Sequence, residues 1–147
     1  MSANKTVRVQ VTHSFTTTPE RVFDAWLDPH WIGQWMFGPN VREEEVLHLQ
    51  TDPRVDGAFS FLVRRGETTI DHIGAYRELD RPHRLVFTWG IAGESVDESV
   101  VTILIEPTKE GCALSLTHVM DVKWAEYASR TQAGWTTMLN ALANALL

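Results

Sequence analysis

The sequence contains a single cysteine, Cys112, among 147 residues. One cysteine cannot form an internal disulfide bond, so a small secreted fold held together by disulfides is excluded. Nowhere do about 18 apolar residues follow one another, as a membrane-spanning helix requires, and the first residues lack the basic and apolar pattern of a signal peptide. We therefore expect a cytoplasmic protein that does not insert into a membrane.

Basic residues are also scarce. Thirteen Lys and Arg stand against nineteen Asp and Glu, which gives a formal net charge of −6. The densest basic spot is the pair Arg64 and Arg65, and a single pair is too small for a surface that tracks a phosphate backbone. Nucleic acids and anionic membranes are therefore not expected as partners.

Apolar and aromatic residues are plentiful in comparison. The hydrophobic fraction is 44%, with six Trp and six Phe. A chain of this length buries roughly 68 to 70% of the surface that it exposes when unfolded, which is enough for one sizeable core. We therefore expect a single domain over residues 1–147, with more large aromatic side chains than a minimal core needs.

The first forty residues predict one strand and two short helices. Apolar residues alternate with polar ones over residues 7–15, which is typical of a strand with one buried face. Thr18-Pro19 then gives a capping hydroxyl and a proline at the first helical position, so a helix should begin there and end near Leu27. Asp28-Pro29 repeats this start, and Gly38-Pro39 ends the second helix.

The remaining chain changes from a period of two to a helical period. Turn residues divide the first part into six strands, at about 41–50, 57–64, 69–79, 84–90, 97–106 and 112–120. Residues 123–146 then place apolar side chains at helical spacing and predict one long amphipathic helix, in which Gly134 should allow close approach to the sheet. The fold class is therefore α+β, a curved seven-stranded antiparallel sheet wrapped around the long C-terminal helix.

The alternation within the strands predicts which side chains line the interior. Trp89 and Phe87 should face inward with Tyr76 close to Phe87, and Gly74 should make room for the Trp89 indole. Trp35 and the loop from Gly90 to Gly93 should border the mouth of a cavity. The predicted ligand-binding residues are Trp35, Phe59, Phe61, His72, Tyr76, Phe87, Trp89, Val101, His118, Tyr127, Thr131 and Trp135. A concave apolar surface with a few polar groups is typical of a small-molecule pocket, although these polar groups could equally satisfy one another or trapped water.

Short motifs in the same order as these elements run along almost the whole chain. They are Thr18-Pro19, Val22-Phe23-Asp24-Ala25-Trp26, Asp28-Pro29, Trp35, Gly38-Pro39, Arg84-Leu85-Val86-Phe87-Thr88-Trp89, Ser99-Val100-Val101-Thr102, Leu116-Thr117-His118 and Gly134-Trp135. From about Val7 to Leu146 the chain resembles the bacterial homologues of the activator of the heat-shock-protein-90 ATPase. The resemblance implies the helix-grip fold of the START-like superfamily, which also contains lipid-transfer domains, polyketide cyclases and the birch-pollen allergen.

The resemblance has two departures. Family members usually carry a glycine pair before the third strand, where this chain has Asp56-Gly57. The eukaryotic activator has a further N-terminal domain that has no counterpart in this sequence, so stimulation of a chaperone ATPase is not expected to carry over. The superfamily mixes enzymes, carriers and interaction modules, so the fold alone does not identify an activity.

No motif assigns a catalytic residue, a metal site or a cofactor. The six histidines lack the spacing of a zinc site, and His118 and Asp121 should point to opposite faces of a strand while His13 lies several residues along from His118. Cys112 should pack as a small hydrophobic residue. Acid-base chemistry would depend on His72, His118, Tyr76 or Glu78. The acidic runs from Glu43 to Glu45 and from Glu94 to Glu98 are interpreted as solvated strand and loop residues.

Three function classes remain. The leading hypothesis is binding or carrying of a small hydrophobic molecule, aromatic or lipid-like, between the sheet and the C-terminal helix. The alternative is a cofactor-free cyclase, isomerase or hydrolase that acts in the same cavity. A protein-interaction or chaperone-associated module is less favoured, because it would need a filled interior and a large exposed apolar patch. A homodimer is left open.

Overall fold

The computed structural model describes residues 6–93 and 99–147. The elements are β1 (Thr6–Phe15), α1 (Pro19–Ala25), α2 (Pro29–Trp35), β2 (Glu45–Thr51), β3 (Ala58–Arg65), β4 (Thr68–Asp80), β5 (Arg84–Ile91), β6 (Ser99–Pro107), β7 (Cys112–Asp121), a 3-10 helix (Val122–Tyr127) and α3 (Ala128–Ala145). The predicted α+β architecture is confirmed, with seven antiparallel strands, two short helices after the first strand and a C-terminal helix. Among the described residues, no helix is long and apolar enough to cross a membrane.

Both short helices begin as the sequence predicts. The Thr18 hydroxyl accepts a hydrogen bond from the backbone N–H of Arg21 at 3.3 Å, and a carboxylate oxygen of Asp28 accepts one from the N–H of His30 at 2.9 Å. A proline follows each cap at the first helical position, where its missing N–H removes no intrahelical bond. The two caps therefore fix where α1 and α2 begin.

The sheet has the strand order β1-β7-β6-β5-β4-β3-β2, and every neighbouring pair is antiparallel. Tyr76 pairs with Phe87, as predicted, and irregularities interrupt the ladders between Val46 and His48 and between Tyr76 and Glu78. Such irregularities bend a strand, which suits a sheet that curves around a helix. Because neighbouring strands run in opposite directions, the C-terminal ends of β3, β5 and β7 all lie at the same end of the sheet.

Gly74 has a different role from the predicted one. It pairs with Phe59 on β3, and a Cβ atom at this position would lie 2.5 Å from the Phe59 ring and 2.0 Å from the carbonyl oxygen of Thr88. Phe59, rather than the Trp89 indole, occupies the space that the missing side chain leaves. The glycine is needed because backbone and an aromatic ring approach it together.

The turn before β3 keeps a backbone that suits two glycines. Asp56 has a φ of +69°, in the left-handed region that glycine adopts without strain and that aspartate tolerates better than most residues. A Cβ atom on Gly57 would lie 2.0 Å from the carbonyl oxygen of Asp52, so only glycine fits there. Asp56 thus replaces the first glycine of the usual pair, and the turn keeps its backbone conformation.

The C-terminal helix buries only part of the predicted apolar stripe. α3 packs against β1 and α2, and its side chains Trp135, Leu139 and Leu142 are buried. Trp124 and Tyr127 are instead 36% and 39% exposed. They belong to the 3-10 helix, whose three residues per turn do not keep side chains at α-helical spacing on one face.

Two further expectations need correction, and a third cannot be compared because it lies outside the described residues. β2 begins at Glu45 instead of 41, because residues 41–44 form a turn. β6 is described from Ser99, so the predicted start at 97 and the acidic run from 94 to 98 lie outside the described residues. Gly134 does not mark a close approach of helix and sheet, since a Cβ atom there would have no neighbour within 4 Å.

Candidate functional site

A cavity of about 360 Å³ lies between the concave face of the sheet and the C-terminal helix, where β3, β5 and β7 end. The sheet contributes His72, Trp89, Gly90, Ile91, Ser99, His118, Met120 and Asp121 to its lining. The C-terminal helical segments contribute Trp124, Thr131, Gly134, Trp135 and Met138, and the lining is completed by Phe37, Arg42 and Arg65. The cavity therefore has a largely apolar wall with charged groups at two sides.

The structure divides nine of the twelve predicted ligand-binding residues into two groups. Five of them line this cavity, namely His72, Trp89, His118, Thr131 and Trp135. Phe59, Phe61, Tyr76 and Phe87 lie deeper and surround a second void of about 10 Å³, with Trp89 between the two spaces. Val101 is fully buried in the sheet and Tyr127 is exposed, and neither lines the cavity.

Trp35 does not border the mouth of the cavity, and that prediction is wrong. Its indole is fully buried, donates a hydrogen bond from Nε1 to the carbonyl oxygen of Ala25 at 3.0 Å, and packs edge-on against Trp26. The last turn of α2 therefore faces the core between the two short helices. Phe37, two residues later, reaches the cavity instead.

Trp89 is the centre of the aromatic wall. Its ring lies 5.6 Å from that of Trp135, 5.5 Å from that of His72 and 5.9 Å from that of Phe59, measured between centroids. It also stacks at 6.4 Å on Phe37. This wall offers a broad surface for an apolar or aromatic molecule, since offset and tilted ring contacts at these distances are favourable.

His118 is held in one neutral tautomer. Trp135 Nε1, which can only donate, donates to His118 Nδ1 at 3.0 Å. The proton of the imidazole is therefore on Nε2, which donates to the Ser99 hydroxyl at 2.7 Å, and Ser99 donates onward to the carbonyl oxygen of Trp89 at 2.8 Å. Burial lowers the pKa of His118 to about 4.

His72 is also neutral but has a free nitrogen. Its Nδ1 lies 3.2 Å from the carbonyl oxygen of Phe61 and must donate to it. Burial is the main cause that lowers the pKa of His72 to about 4, and the positive charges of Arg65 and Arg42 act in the same direction. Its Nε2 makes no hydrogen bond to the residues that the structure describes and remains an acceptor beside the cavity.

Sequence reasoning missed an ionic cluster at one side of the cavity. Glu44, interpreted from the sequence as solvated, has a side chain that is 0% exposed. Its carboxylate accepts hydrogen bonds from Arg42 Nη1 at 3.0 Å, from Arg65 Nε at 2.6 Å and from the backbone N–H of Gly38 at 2.8 Å. Burial alone would raise the pKa of Glu44, but these hydrogen bonds and the two charges hold it below its ordinary value.

Asp121 marks the other charged side of the cavity. It was predicted to point away from His118, yet both residues line the cavity. The chain leaves the strand at Asp121, whose carboxylate caps the 3-10 helix by accepting from the N–H of Lys123 at 2.9 Å. Strand alternation therefore no longer holds at this position.

Two buried donors have no hydrogen-bond partner among the described residues. They are Trp26 Nε1 and the Tyr76 hydroxyl, and both side chains line the small void beside Trp89. Burial is the main cause that raises the pKa of Tyr76, with the charge of Asp52 second. Tyr76 thus remains a neutral phenol and a hydrogen-bond donor on the inner side of Trp89.

The other reactive side chains lie apart from the cavity. Cys112 is fully buried at the start of β7, and burial raises the pKa of its thiol, helped by the charge of Glu20. His13 pairs with Leu114 rather than with His118, and its Nε2 lies 2.9 Å from the side-chain oxygen of Asn140. In the part of the chain that the structure describes, no three His, Cys, Asp or Glu side chains form a group suited to a metal ion.

Comparisons with known proteins agree with this architecture. A family model described as Activator of Hsp90 ATPase homolog 1-like protein matches residues 16–146. A solved structure from Chromobacterium violaceum has a TM-score of 0.80 and 25% identity, and the match covers 93% of this chain and 94% of that one. A protein of unknown function from Staphylococcus aureus has a TM-score of 0.83 at 18% identity, with coverage of 96% and 93%.

An AHSA1-like protein from Aeromonas hydrophila, solved by NMR, has a TM-score of 0.76 at 20% identity and covers 94% of this chain and 90% of its own. At these identities the last two likenesses concern the fold alone. The search of curated proteins found no match.

Proposed function

The chain belongs to the Activator of Hsp90 ATPase homolog 1-like family, and we propose that it binds or carries a small hydrophobic molecule, aromatic or lipid-like, in the cavity between the sheet and α3. One observation carries the proposal. The cavity of about 360 Å³ exceeds the lower end of ligand-site volumes, which is about 300 Å³. Its wall is built from Trp89, Trp135 and Met138, so an apolar ligand would replace water against apolar surface.

The hydrogen bond of His118 and the low pKa of both histidines favour binding over acid-base catalysis. The basic nitrogen of His118 already accepts a hydrogen bond from the Trp135 indole N–H, so it cannot take a proton from a ligand without breaking that bond. Both histidines have a pKa of about 4, whereas a general acid or base works best when its pKa is near the working pH. A cyclase, isomerase or hydrolase in this cavity is therefore the less favoured alternative.

A neutral fluorescent probe tests binding directly. N-phenyl-1-naphthylamine fluoresces more strongly in apolar surroundings, so titration into the protein should give a saturable increase with one site. Gly134→Leu should lower the affinity about tenfold or more, because the new side chain would occupy the cavity that Gly134 lines. The matched control is Ala133→Leu, at the neighbouring exposed position of the same helix, and it should bind like the wild type.

Two outcomes would contradict the proposal. Absence of saturable binding, or equal affinity of both leucine variants, would mean that the cavity does not hold the probe. Native mass spectrometry of the purified protein should also reveal any retained small molecule. If that molecule were chemically altered by the wild type but not by His118→Gln, the enzyme alternative would replace the carrier.

A further inference from the structure

The cavity is apolar over most of its wall but has two arginines at one side. Arg65 is the last residue of β3 and follows the same alternation as Phe59, Phe61 and Val63, so its side chain lies on the concave face of the sheet. Arg42 comes from the turn before β2, and its guanidinium lies 5.7 Å from the centre of the Phe37 ring. Both arginines line the cavity. Arg64, the neighbour of Arg65, lies on the opposite face of the sheet and pairs with Glu45.

The charges of the described residues at this side do not balance. Two guanidinium groups share one carboxylate, that of Glu44, whose side chain is 0% exposed and lies behind them. His72 is neutral because burial lowers its pKa to about 4, so it does not change this count. Asp121, the other charged group of the described lining, ends β7, four strands away from β3 in the order of the sheet. Counted over the described residues, the arginine side therefore presents one net positive charge.

Both arginines have N–H donors that no described residue uses. Arg65 binds Glu44 through Nε, and its Nη1 and Nη2 make no hydrogen bond to any residue in the described ranges 6–93 and 99–147. Arg42 uses Nη1 for both Glu44 and the carbonyl oxygen of Met36, which leaves its Nε and Nη2 free of such bonds. Guanidinium N–H groups pair well with carboxylate oxygens, often two at a time.

We propose that Arg65, with Arg42, binds the carboxylate of a ligand whose remaining part is apolar and lies against Trp89 and Trp135. This inference rests on the proposed function, since it concerns the ligand of the same cavity. Glu44 has two roles in it: it fixes the position of both guanidinium groups, and it limits their excess charge to one. The ligand class is thus an aromatic or aliphatic monocarboxylic acid.

Two probes of nearly equal shape test the inference. 2-Naphthoate carries a carboxylate at neutral pH, and 2-naphthamide is its neutral counterpart. Isothermal titration calorimetry should show about tenfold or more tighter binding of the acid, as expected for a hydrogen bond between charged groups. Added salt should weaken binding of the acid and leave the amide almost unaffected.

Three variants separate charge recognition from folding. Arg65→Gln should remove most of the preference for the acid, whereas Arg64→Gln, which changes an exposed residue paired with Glu45, should keep it. Glu44→Gln should act in the opposite direction and tighten binding of 2-naphthoate, because the amide oxygen can still accept a hydrogen bond from the arginines while the compensating negative charge is lost. A gain of affinity cannot result from loss of folding, so this variant keeps the test valid if Arg65→Gln is unstable.

The outcomes distinguish the two proposals. Equal affinities for acid and amide, unchanged by Arg65→Gln and Glu44→Gln, would overturn the carboxylate inference and leave apolar binding intact. Failure of both naphthalene probes and of N-phenyl-1-naphthylamine to bind would overturn both proposals.

Discussion

At the scale of single residues, the surroundings of His72 and His118 link folding to pH. Both have a pKa of about 4 in the folded chain, below the ordinary value of 6.5. Between these two values the unfolded chain binds protons that the folded chain does not, so the free energy of unfolding must fall as the pH falls from 6.5 towards 4. The stabilisation from the two histidines is fully present above pH 6.5, and below pH 4 their contribution no longer changes because they are protonated in both states.

We expect urea unfolding to detect this dependence. Between about pH 7 and about pH 5 the free energy of unfolding should fall by about 2 kcal/mol for each of the two histidines. Trp135→Phe should reduce the slope, because it removes the indole donor that opposes protonation of His118 Nδ1. A wild-type slope near zero in this range would contradict the neutral, buried state of both rings.

The direction of a side chain could be predicted from the sequence where alternation along a single strand determines it. Strand alternation places His72 and His118 on the concave face, and both are buried there. The same alternation places Arg65 inward after Phe59 and Phe61, so this residue could have been predicted from the sequence. Glu44 could not, because its burial depends on a turn that brings the Gly38 N–H and two arginines to its carboxylate.

At the scale of elements, α3 combines a packed face with an open one. Gly134 lies inside an 18-residue helix, where glycine is less stable than alanine by roughly 0.5 to 1 kcal/mol. A Cβ atom there meets nothing within 4 Å, so a methyl group adds no clash. Gly134→Ala should therefore raise the free energy of unfolding in urea by about 0.5 to 1 kcal/mol.

The control for this prediction is Gly74→Ala, which should strongly destabilise the chain because its Cβ would overlap the Thr88 carbonyl oxygen and the Phe59 ring. If Gly134→Ala were also destabilising, α3 would have to lie closer to the sheet than the structure shows, and the cavity would be smaller.

A helix or strand could be predicted from the sequence where the interactions that fix it are made by residues close by in the chain. The starts of α1 and α2 are fixed by side chains two or three residues away, so Thr18-Pro19 and Asp28-Pro29 predict them correctly. The 3-10 helix before α3 was missed, since its apolar residues have α-helical spacing and only the structure shows the tighter winding. Trp35 was misplaced for a related reason: the sequence gives its helical face but not the direction in which that face points.

At the scale of the whole molecule, the interior is filled on one side and hollow on the other. Beneath α1 and α2 the aromatic residues pack closely, and Trp26 contacts both Trp35 and Trp135. Beside α3 the lining side chains leave a cavity of about 360 Å³. The composition shows an excess of aromatic residues, but it does not predict that one side of the interior is filled and the other hollow. The volume of a cavity depends on the distance between helix and sheet.

The hollow side has a thermodynamic consequence for the entire chain. A ligand that binds the folded state alone stabilises it by about 2.7 kcal/mol when present at 100 times its dissociation constant. In a domain of this size, this stabilisation should raise Tm by roughly 5 to 10 °C. We expect N-phenyl-1-naphthylamine to give such a shift in wild type and in Ala133→Leu when thermal unfolding is followed by circular dichroism. Gly134→Leu should unfold cooperatively with at most about half of the shift at the same probe concentration, because a tenfold weaker affinity leaves about 1.4 kcal/mol of stabilisation. An equal shift in that variant would place the binding site elsewhere on the molecule.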